Sequence, residues 1–310
     1  QYTIRSTLPI SDAYLSGNTN GLDEKQKETL DMAKAVLDEI ITEDMTPYDK
    51  EKAVYDWMTS ELSYDTGILQ VIPQTTADCD NPYGVLKYHN AVCVGYATTF
   101  RLLMQMMEIP CMVVHSTDEF HSWNLVQLDN AWYHVDIYFD QHGGNYASFN
   151  MNDDIAAMSH DWDRTFFPAA TSLDYNYGYQ NRSAVEDRFQ VPALVRKAVD
   201  EQAASLFLAF PSIDEAGAQE VENMFYGIEA AVAESPDLQY LSIQRTWFPA
   251  PGGTFVLGVF LEGYLDDEET DKTVEIPPET QEKIDQAVQD AFGDVAIGVD
   301  DGEDMGGAWG

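Results

Sequence analysis

Two apolar stretches flank the dipeptide Asp129-Asn130. Both stretches, Ser122–Leu128 and Ala131–Tyr138, have the pattern of strands. Asp and Asn tolerate the positive φ of a two-residue turn, so the pattern predicts a tight antiparallel hairpin in which Leu128 faces Ala131. The register matters because a slip of one residue would move every side chain to the opposite face of the sheet.

In this register, His121 and Asp136 lie on the same face of the sheet as diagonal neighbours. Diagonal Cα atoms are roughly 7–8 Å apart, a gap that an imidazole and a carboxylate can bridge. We therefore expect the hairpin to bring this histidine and this carboxylate together without help from the rest of the fold.

Cys93 precedes a second regular pattern, in which apolar residues recur at helical spacing until Pro110. The members of this apolar face are Tyr96, Phe100, Leu103 and Met107. The cysteine thus falls at a helix N-terminus, where unpaired N–H groups and the helix dipole favour an anion such as a thiolate. Gly95 would let backbone pack closely beside it.

A thiolate, an imidazole and a carboxylate can act as a nucleophile, its base and the group that orients the base. We predict these three catalytic roles for Cys93, His121 and Asp136, in that order. The Cys93 backbone N–H would be one oxyanion donor, and the second donor stays unassigned. Each residue alone is more often structural, since buried free cysteines are common, but the combination favours catalysis.

The remaining histidines lack a nucleophile or a metal-binding spacing. His134 shares a face with Asp136, and we expect it to have a structural or rim role. His115, His142 and His160 have carboxylates nearby, but no HExxH or CxxC spacing accompanies them. The carboxylates of residues 161–163 favour solvated or salt-bridged groups over a calcium site. The sequence therefore predicts no bound metal and no cofactor.

Three cysteines do not form a disulfide framework. A Cys79–Cys111 pair stays open and would leave Cys93 free. Neighbouring aspartates disfavour a thiolate at Cys79, and the apolar surroundings of Cys111 indicate a core position.

The formal net charge is −38, with 16 basic and 54 acidic residues. Such a chain repels nucleic acid and anionic membrane surfaces, and its acidic surface favours solubility or a cationic partner. No run of about 18 apolar residues occurs, so no membrane span is expected. The chain begins with Gln1 in place of Met, from which we expect a secreted or cell-surface protein whose signal peptide was removed, or else a trimmed chain.

Along the chain, residues 1–20 resemble an extended lead-in, and helical periodicity begins at Leu22. Thr46-Pro47 has the pattern of a second helix start. Residues 63–90 are predicted to be a long loop, and residues 140–185 an irregular aromatic cap.

We expect two α+β domains, at 1–188 and 189–310. From 205 onwards the predicted order is β-α-β-β-α-β, which is compatible with a ferredoxin-like fold. Its last strand would be Val295–Val299, followed by an acidic, Gly-rich tail.

Three motifs resemble the transglutaminase-like superfamily, in its bacterial, papain-fold-related branch. They are Val92–Ala97, His121–Val126 and Asn130–Asp136, and the resemblance spans roughly residues 22–178. It implies a papain/transglutaminase-like core, in which a helix bearing the cysteine packs on an antiparallel sheet bearing the histidine and the aspartate. It also implies Cys93 as nucleophile, His121 as base and Asp136 as orienting residue.

The resemblance implies thioester chemistry on an amide. The leading hypothesis is a cysteine peptidase or amidase that acts on a peptide or protein, such as a cell-surface or cell-wall peptide. The alternatives are a protein-glutamine transglutaminase and a non-catalytic surface binding module. Many members of the family carry Thr-Trp after the aspartate, whereas this chain has Ile137-Tyr138, which alters the pocket wall.

Overall fold

The structure is a computed structural model that describes residues 6–65, 78–118, 120–140, 144–235, 238, 241–262 and 278–292. The chain divides into two compact units, Gln1–Arg182 and Ser183–Gly310. The first unit contains all three residues of the predicted catalytic set.

Among the described residues, five helices precede the main sheet of the first unit. They are α1 (Leu8–Ser16), α2 (Glu24–Ile40), α3 (Pro47–Glu61), α4 (Pro82–Tyr88) and α5 (Cys93–Met106). A capping box begins α3 as the sequence predicts, because the Thr46 side chain accepts from the Asp49 backbone N–H and the Asp49 side chain accepts in return from the Thr46 backbone N–H. The helix that begins at Cys93 is buried along most of its length and packs on α1, α3 and the sheet.

The sheet of the first unit is antiparallel, in the order β3-β4-β5, and a two-stranded parallel ribbon pairs β1 with β2. The strands are β1 (Ser63–Tyr64), β2 (Asn90–Ala91), β3 (Cys111–His115), β4 (Ser122–Leu128) and β5 (Ala131–Val135). The predicted hairpin register is confirmed, with Leu128 opposite Ala131. Asp129 and Asn130 form the turn with φ of 45° and 65°.

Strand β5 ends three residues earlier than the sequence predicts. The Asp136 side chain accepts a hydrogen bond from the backbone N–H of Tyr138, which bends the chain immediately after the strand. His121 directly precedes β4 and Asp136 directly follows β5, so both residues stand at the same end of the hairpin.

Three predicted irregular segments contain helices. The predicted lead-in, residues 1–20, includes α1, which ends at Gly17 with φ of 69° and buries Ile10 and Ala13. The predicted loop 63–90 includes α4, where Pro82 occupies the first turn. The aromatic cap is largely irregular, as predicted, apart from the short helices α6 (Asp153–Ala156) and α7 (Tyr177–Gln180). Short helices of this kind leave little periodicity in a sequence.

In its described part, the second unit combines a four-stranded sheet with three α-helices. Its elements are β6 (Ser183–Ala184), α8 (Val191–Asp200), β7 (Ser205–Phe210), α9 (Glu215–Glu234), β8 (Ser242–Ala250), β9 (Thr254–Glu262) and α10 (Pro278–Phe292). The strand order is β6-β7-β9-β8, with β9 antiparallel to both of its neighbours. Strands β7, β9 and β8 follow the order of a ferredoxin-like sheet, but β6 occupies the edge beside β7. The predicted strand Val295–Val299 lies outside the described residues.

The fold class is therefore α+β, as predicted, and in the first unit the helix that begins at Cys93 packs on an antiparallel sheet. Among the described residues, no helix is both long enough and apolar enough to span a bilayer.

Candidate active site

Cys93 is the first residue of α5 and is 8% exposed. The N-cap residue, Val92, makes no side-chain hydrogen bond to the first turn. The backbone N–H groups of Gly95 and Tyr96 donate to the Val92 carbonyl oxygen, so the N–H groups of Cys93 and Val94 are the ones that can meet an anion at this helix start. The Cys93 thiol lies 3.6 Å from the carbonyl oxygen of Phe120 and also hydrogen-bonds to the His121 side chain.

Gly95 fixes the position of this helix start. A Cβ atom at Gly95 would lie 2.0 Å from the carbonyl oxygen of Cys79, a separation that no real side chain tolerates. The same carbonyl accepts a hydrogen bond from the Val92 backbone N–H. The absence of a side chain at residue 95 thus lets the turn 78–81 lie directly against the residues around Cys93.

His121 connects the thiol to a buried carboxylate. Its Nε2 lies 2.5 Å from Oδ2 of Asp136, which leaves the other ring nitrogen for Cys93. Burial by itself lowers the pKa of His121, but the hydrogen bonds with Asp136 and Cys93 outweigh burial and raise that pKa to about 10. The ring therefore favours the imidazolium form near neutral pH, which is the form that pairs with a thiolate.

Asp136 is 1% exposed and accepts hydrogen bonds at both carboxylate oxygens. Oδ1 accepts from the backbone N–H groups of Tyr138 and Phe139, at 3.0 and 3.4 Å. Oδ2 faces His121 and a second ring, that of His160, at 2.8 Å. Burial raises the pKa of Asp136, but the two histidines outweigh that effect and hold its pKa below the usual value.

His160 is the site residue that sequence reasoning missed. The sequence shows only a histidine with carboxylates nearby, and no periodicity connects residue 160 to the hairpin. In the fold, the His160 side chain is fully buried and its Nε2 meets the same carboxylate oxygen as His121.

The cluster of His121, Asp136 and His160 also has the composition of a metal site, with its ligand atoms within 4.8 Å of one another. However, both histidine nitrogens stand at hydrogen-bond distance from Asp136, at 2.5 and 2.8 Å. Ligand atoms around a tetrahedral zinc are roughly 3.3 Å apart, given metal–ligand distances of about 2.0 Å. The observed spacing therefore suits shared protons better than a shared cation.

A second histidine–carboxylate pair, His134 and Asp153, lies near the first. Trp123 donates its indole N–H to Nδ1 of His134 at 2.9 Å, and Nε2 of His134 lies 3.0 Å from Asp153. The His134 side chain is fully buried, so it has the structural role that the sequence allows and is not at a rim. Burial lowers the pKa of His134 despite the opposing effect of Asp153, which suits a neutral ring that accepts from Trp123. The Trp123 ring stacks 5.8 Å from that of His121.

Aromatic side chains surround the His121 ring on its open side. Tyr138 and Phe139 lie 5.5 and 5.1 Å from it between ring centroids. Phe139 is 47% exposed, and the Phe120 side chain is fully exposed. Tyr138 belongs to the Ile137-Tyr138 pair, and together with Phe120 and Phe139 it gives the site an aromatic rim.

The other candidate residues do not join the site. Cys79 and Cys111 form no disulfide with each other, so the pair left open by the sequence is not present in this structure. The His115 ring contacts Phe167, and His142 lies outside the described residues. Asp161 is partly exposed and accepts from Ser116, Thr117 and the backbone N–H of Asp118, and the exposed Asp163 accepts from Thr165.

Comparison with known proteins identifies the segment that carries this geometry. Residues 34–137 match the transglutaminase-like superfamily. This transglutaminase-like segment includes Cys93, His121 and Asp136, and it ends before His160. The expected resemblance is thereby confirmed.

Two individual relatives are also similar. Kyphoscoliosis peptidase from Homo sapiens is 27% identical over 139 residues, which are 37% of this chain and 21% of the human protein. This chain thus spans about a fifth of the length of that relative. A solved structure described as "Crystal structure of a TGase" is 16% identical and covers 57% of this chain and 45% of its own, with a TM-score of 0.30.

Proposed function

We propose that this protein is a cysteine-dependent acyl-transfer enzyme, a peptidase or amidase that cleaves a peptide or carboxamide bond through a thioester. Cys93 is the nucleophile, His121 the general base and acid, and Asp136 the residue that orients the imidazole. The observation that supports the proposal is the continuous hydrogen-bonded series from the Cys93 thiol through His121 to the buried Asp136 carboxylate.

In the first half-reaction, the thiolate sulfur of Cys93 attacks the carbonyl carbon and forms a C–S bond. The carbonyl oxygen becomes an oxyanion next to the N–H groups of the first turn of α5, where the uncapped backbone favours negative charge. His121 gives its proton to the leaving nitrogen as the C–N bond breaks. An amine or ammonia leaves, and a thioester with Cys93 remains.

In the second half-reaction, a water molecule attacks the thioester carbon. His121, now neutral, takes a proton from the water, and the C–S bond breaks to return the Cys93 thiolate. Asp136 stabilises the imidazolium whenever it forms, because its carboxylate is buried next to Nε2. If an amine reaches the thioester in place of water, the same steps transfer the acyl group to that amine.

Selective labelling tests the nucleophile. The protein is treated with limiting iodoacetamide at neutral pH, and the modified cysteine is identified by peptide mass spectrometry. We expect Cys93 to react well before Cys79 and Cys111, because Cys93 begins a helix beside the His121 imidazole, whereas burial raises the pKa of the Cys111 thiol. Equal labelling of all three cysteines at the rate of a free thiol would contradict the proposal.

Turnover tests the reaction. A panel of peptide, glutamine-amide and cell-wall peptide substrates is assayed with the wild type, with Cys93→Ala and with the matched control Cys111→Ala. Loss of all product in Cys93→Ala, with activity retained in Cys111→Ala, is the expected result. Incorporation of an amine probe into a glutamine peptide would identify a transglutaminase, and release of free acid alone would identify a hydrolase.

A further inference from the structure

One carboxylate oxygen of Asp136 serves two histidines. His121 Nε2 lies 2.5 Å from Oδ2 of Asp136, and His160 Nε2 lies 2.8 Å from the same oxygen. The His160 side chain is fully buried, and the two imidazole centroids are 5.7 Å apart. The proposed mechanism assigns a role to His121 and none to His160.

The surroundings of His160 determine which of its nitrogens carries hydrogen. Nδ1 lies 2.9 Å from the Ser159 hydroxyl and 3.2 Å from the Ala156 carbonyl oxygen. A neutral ring protonated only at Nδ1 would direct the lone pair of Nε2 at a carboxylate oxygen 2.8 Å away, which is repulsive. A ring protonated at Nε2 donates to Asp136 and can accept from the hydroxyl of Ser159. The geometry therefore requires an Nε2–H group on His160.

We propose that His160 is a positioning residue for the acyl-transfer reaction, which presents an Nε2–H group to Asp136 and is held at Nδ1 by the Ser159 hydroxyl and the Ala156 carbonyl oxygen. This proposal rests on the proposed function, because it assigns a role in the same site. The donor acts on Asp136 in two ways. It fixes the direction in which Oδ2 faces His121, and it stabilises the ionised carboxylate in a place that water does not reach.

A second donor also keeps the proton on His121. A buried carboxylate with few partners gains basicity and competes for the proton of the ring beside it. The hydrogen bond from His160 lowers the basicity of the Asp136 carboxylate, as do the hydrogen bonds from the two backbone N–H groups at Oδ1. The ion pair of the His121 imidazolium and the Cys93 thiolate is thereby maintained to lower pH, because Asp136 stays ionised there. The titratable groups that face His160 are Asp136, His121 and His134.

The first experiment measures the tautomer. The wild-type protein is labelled with ¹⁵N-histidine, and the ring nitrogens of His160 are assigned by comparison with His160→Gln. We expect Nε2 of His160 to carry hydrogen at neutral pH, with its proton shifted downfield by the hydrogen bond to Asp136. An unprotonated Nε2 would overturn the proposal, and this result needs neither a substrate nor turnover.

The second experiment measures the alkylation rate of Cys93 as a function of pH, which needs no substrate. His160→Leu removes the donor, whereas His160→Gln retains an N–H donor of similar reach. We expect the acid limb of the profile to move upward by about one pH unit in His160→Leu, the size expected for one lost charge-assisted hydrogen bond. In His160→Gln, the acid limb should lie close to its wild-type position.

A comparison variant separates positioning from packing. His134→Leu removes another buried imidazole, one that bonds Trp123 and Asp153 and makes no hydrogen bond to Asp136. It should lower the melting temperature and leave the acid limb in place. The proposal is wrong if His160→Leu leaves the limb unchanged, or if the Gln and Leu variants shift it equally. Absence of turnover on every substrate, with these shifts observed, would count against the proposed function and not against the role of His160.

Discussion

The carbonyl oxygen of Cys79 occupies the place where Gly95 would carry a Cβ, with only 2.0 Å between the two positions. This contact ties the turn 78–81 to the first turn of α5, and therefore to Cys93. The nucleophile is positioned by backbone packing at a residue two positions away, and its own side chain contributes little to that packing.

The first prediction follows from this contact. Gly95→Ala forces the turn and the helix apart, and we expect it to reduce the free energy of unfolding by about 1–3 kcal/mol or more, as overpacking does. It should also slow alkylation of Cys93. Urea unfolding and labelling rates measure both effects. The matched control is Gly21→Ala, because a Cβ there meets no atom within 4 Å; an equal effect of both variants would contradict this reading.

The second prediction concerns the Asp136 carboxylate. Asp136→Asn keeps the size of the side chain and removes the charge that stabilises the His121 imidazolium. We expect the turnover number to fall by about 10²–10⁴-fold, the usual contribution of a positioned acid–base group. Steady-state kinetics with any substrate that the panel identifies measures this fall in the turnover number. Asp153→Asn, in the second histidine–carboxylate pair, should have a much smaller effect on turnover.

The third prediction concerns stability against pH. The pKa of His121 is raised from 6.5 to about 10 in the folded protein, so the folded state binds the proton more tightly than the unfolded state does. The stabilisation is complete below pH 6.5 and is lost as the pH rises towards 10. Urea unfolding of the wild type and of His121→Gln from pH 6 to pH 10 should show a stability difference that shrinks with pH. A constant or growing difference would contradict the assignment.

The fourth prediction concerns Glu51, a fully buried carboxyl group on α3. Burial raises the pKa of Glu51 from 4.5 to about 8, although the hydrogen bond from Asn150 opposes the shift. The folded state therefore holds a proton that the unfolded state releases, and stability falls as the pH rises from 4.5 to about 8. Glu51→Gln should remove this part of the pH dependence and stabilise the protein most above pH 8.

Thermal unfolding of Glu51→Gln and of the exposed control Glu39→Gln, at pH 5 and pH 8.5, measures the effect. Glu51→Gln should raise the melting temperature at pH 8.5 and leave it unchanged at pH 5. A similar rise in melting temperature at both values of pH would contradict the prediction, because it would indicate that the variant packs better and not that Glu51 binds a proton in the folded state.

Much of the hairpin could be read from the sequence because it is local. The turn at Asp129-Asn130 requires two residues that accept positive φ, and the strand pairing follows from it. The closeness of His121 and Asp136 is a consequence of that register. The early end of β5 was missed, because the side chain of Asp136 competes for backbone N–H groups that a strand would use.

The helix start at Cys93 was also readable, from apolar spacing alone. Helices α1 and α4 could not be read from the sequence, because each is short and has little periodicity. Helices of this length are stabilised mainly by burial against other elements. The secreted or cell-surface location stays a prediction of the sequence.

The sequence by itself determined the hairpin register, the helix that begins at the cysteine and the α+β class, because each depends on neighbours within one or two elements of the chain. Only the tertiary structure could bring His160 to Asp136, 24 residues away across an irregular segment. That contact depends on long-range packing of a buried ring, for which no periodic pattern exists. The same holds for the thiol of Cys93, which meets the ring of His121 only because α5 packs on β4.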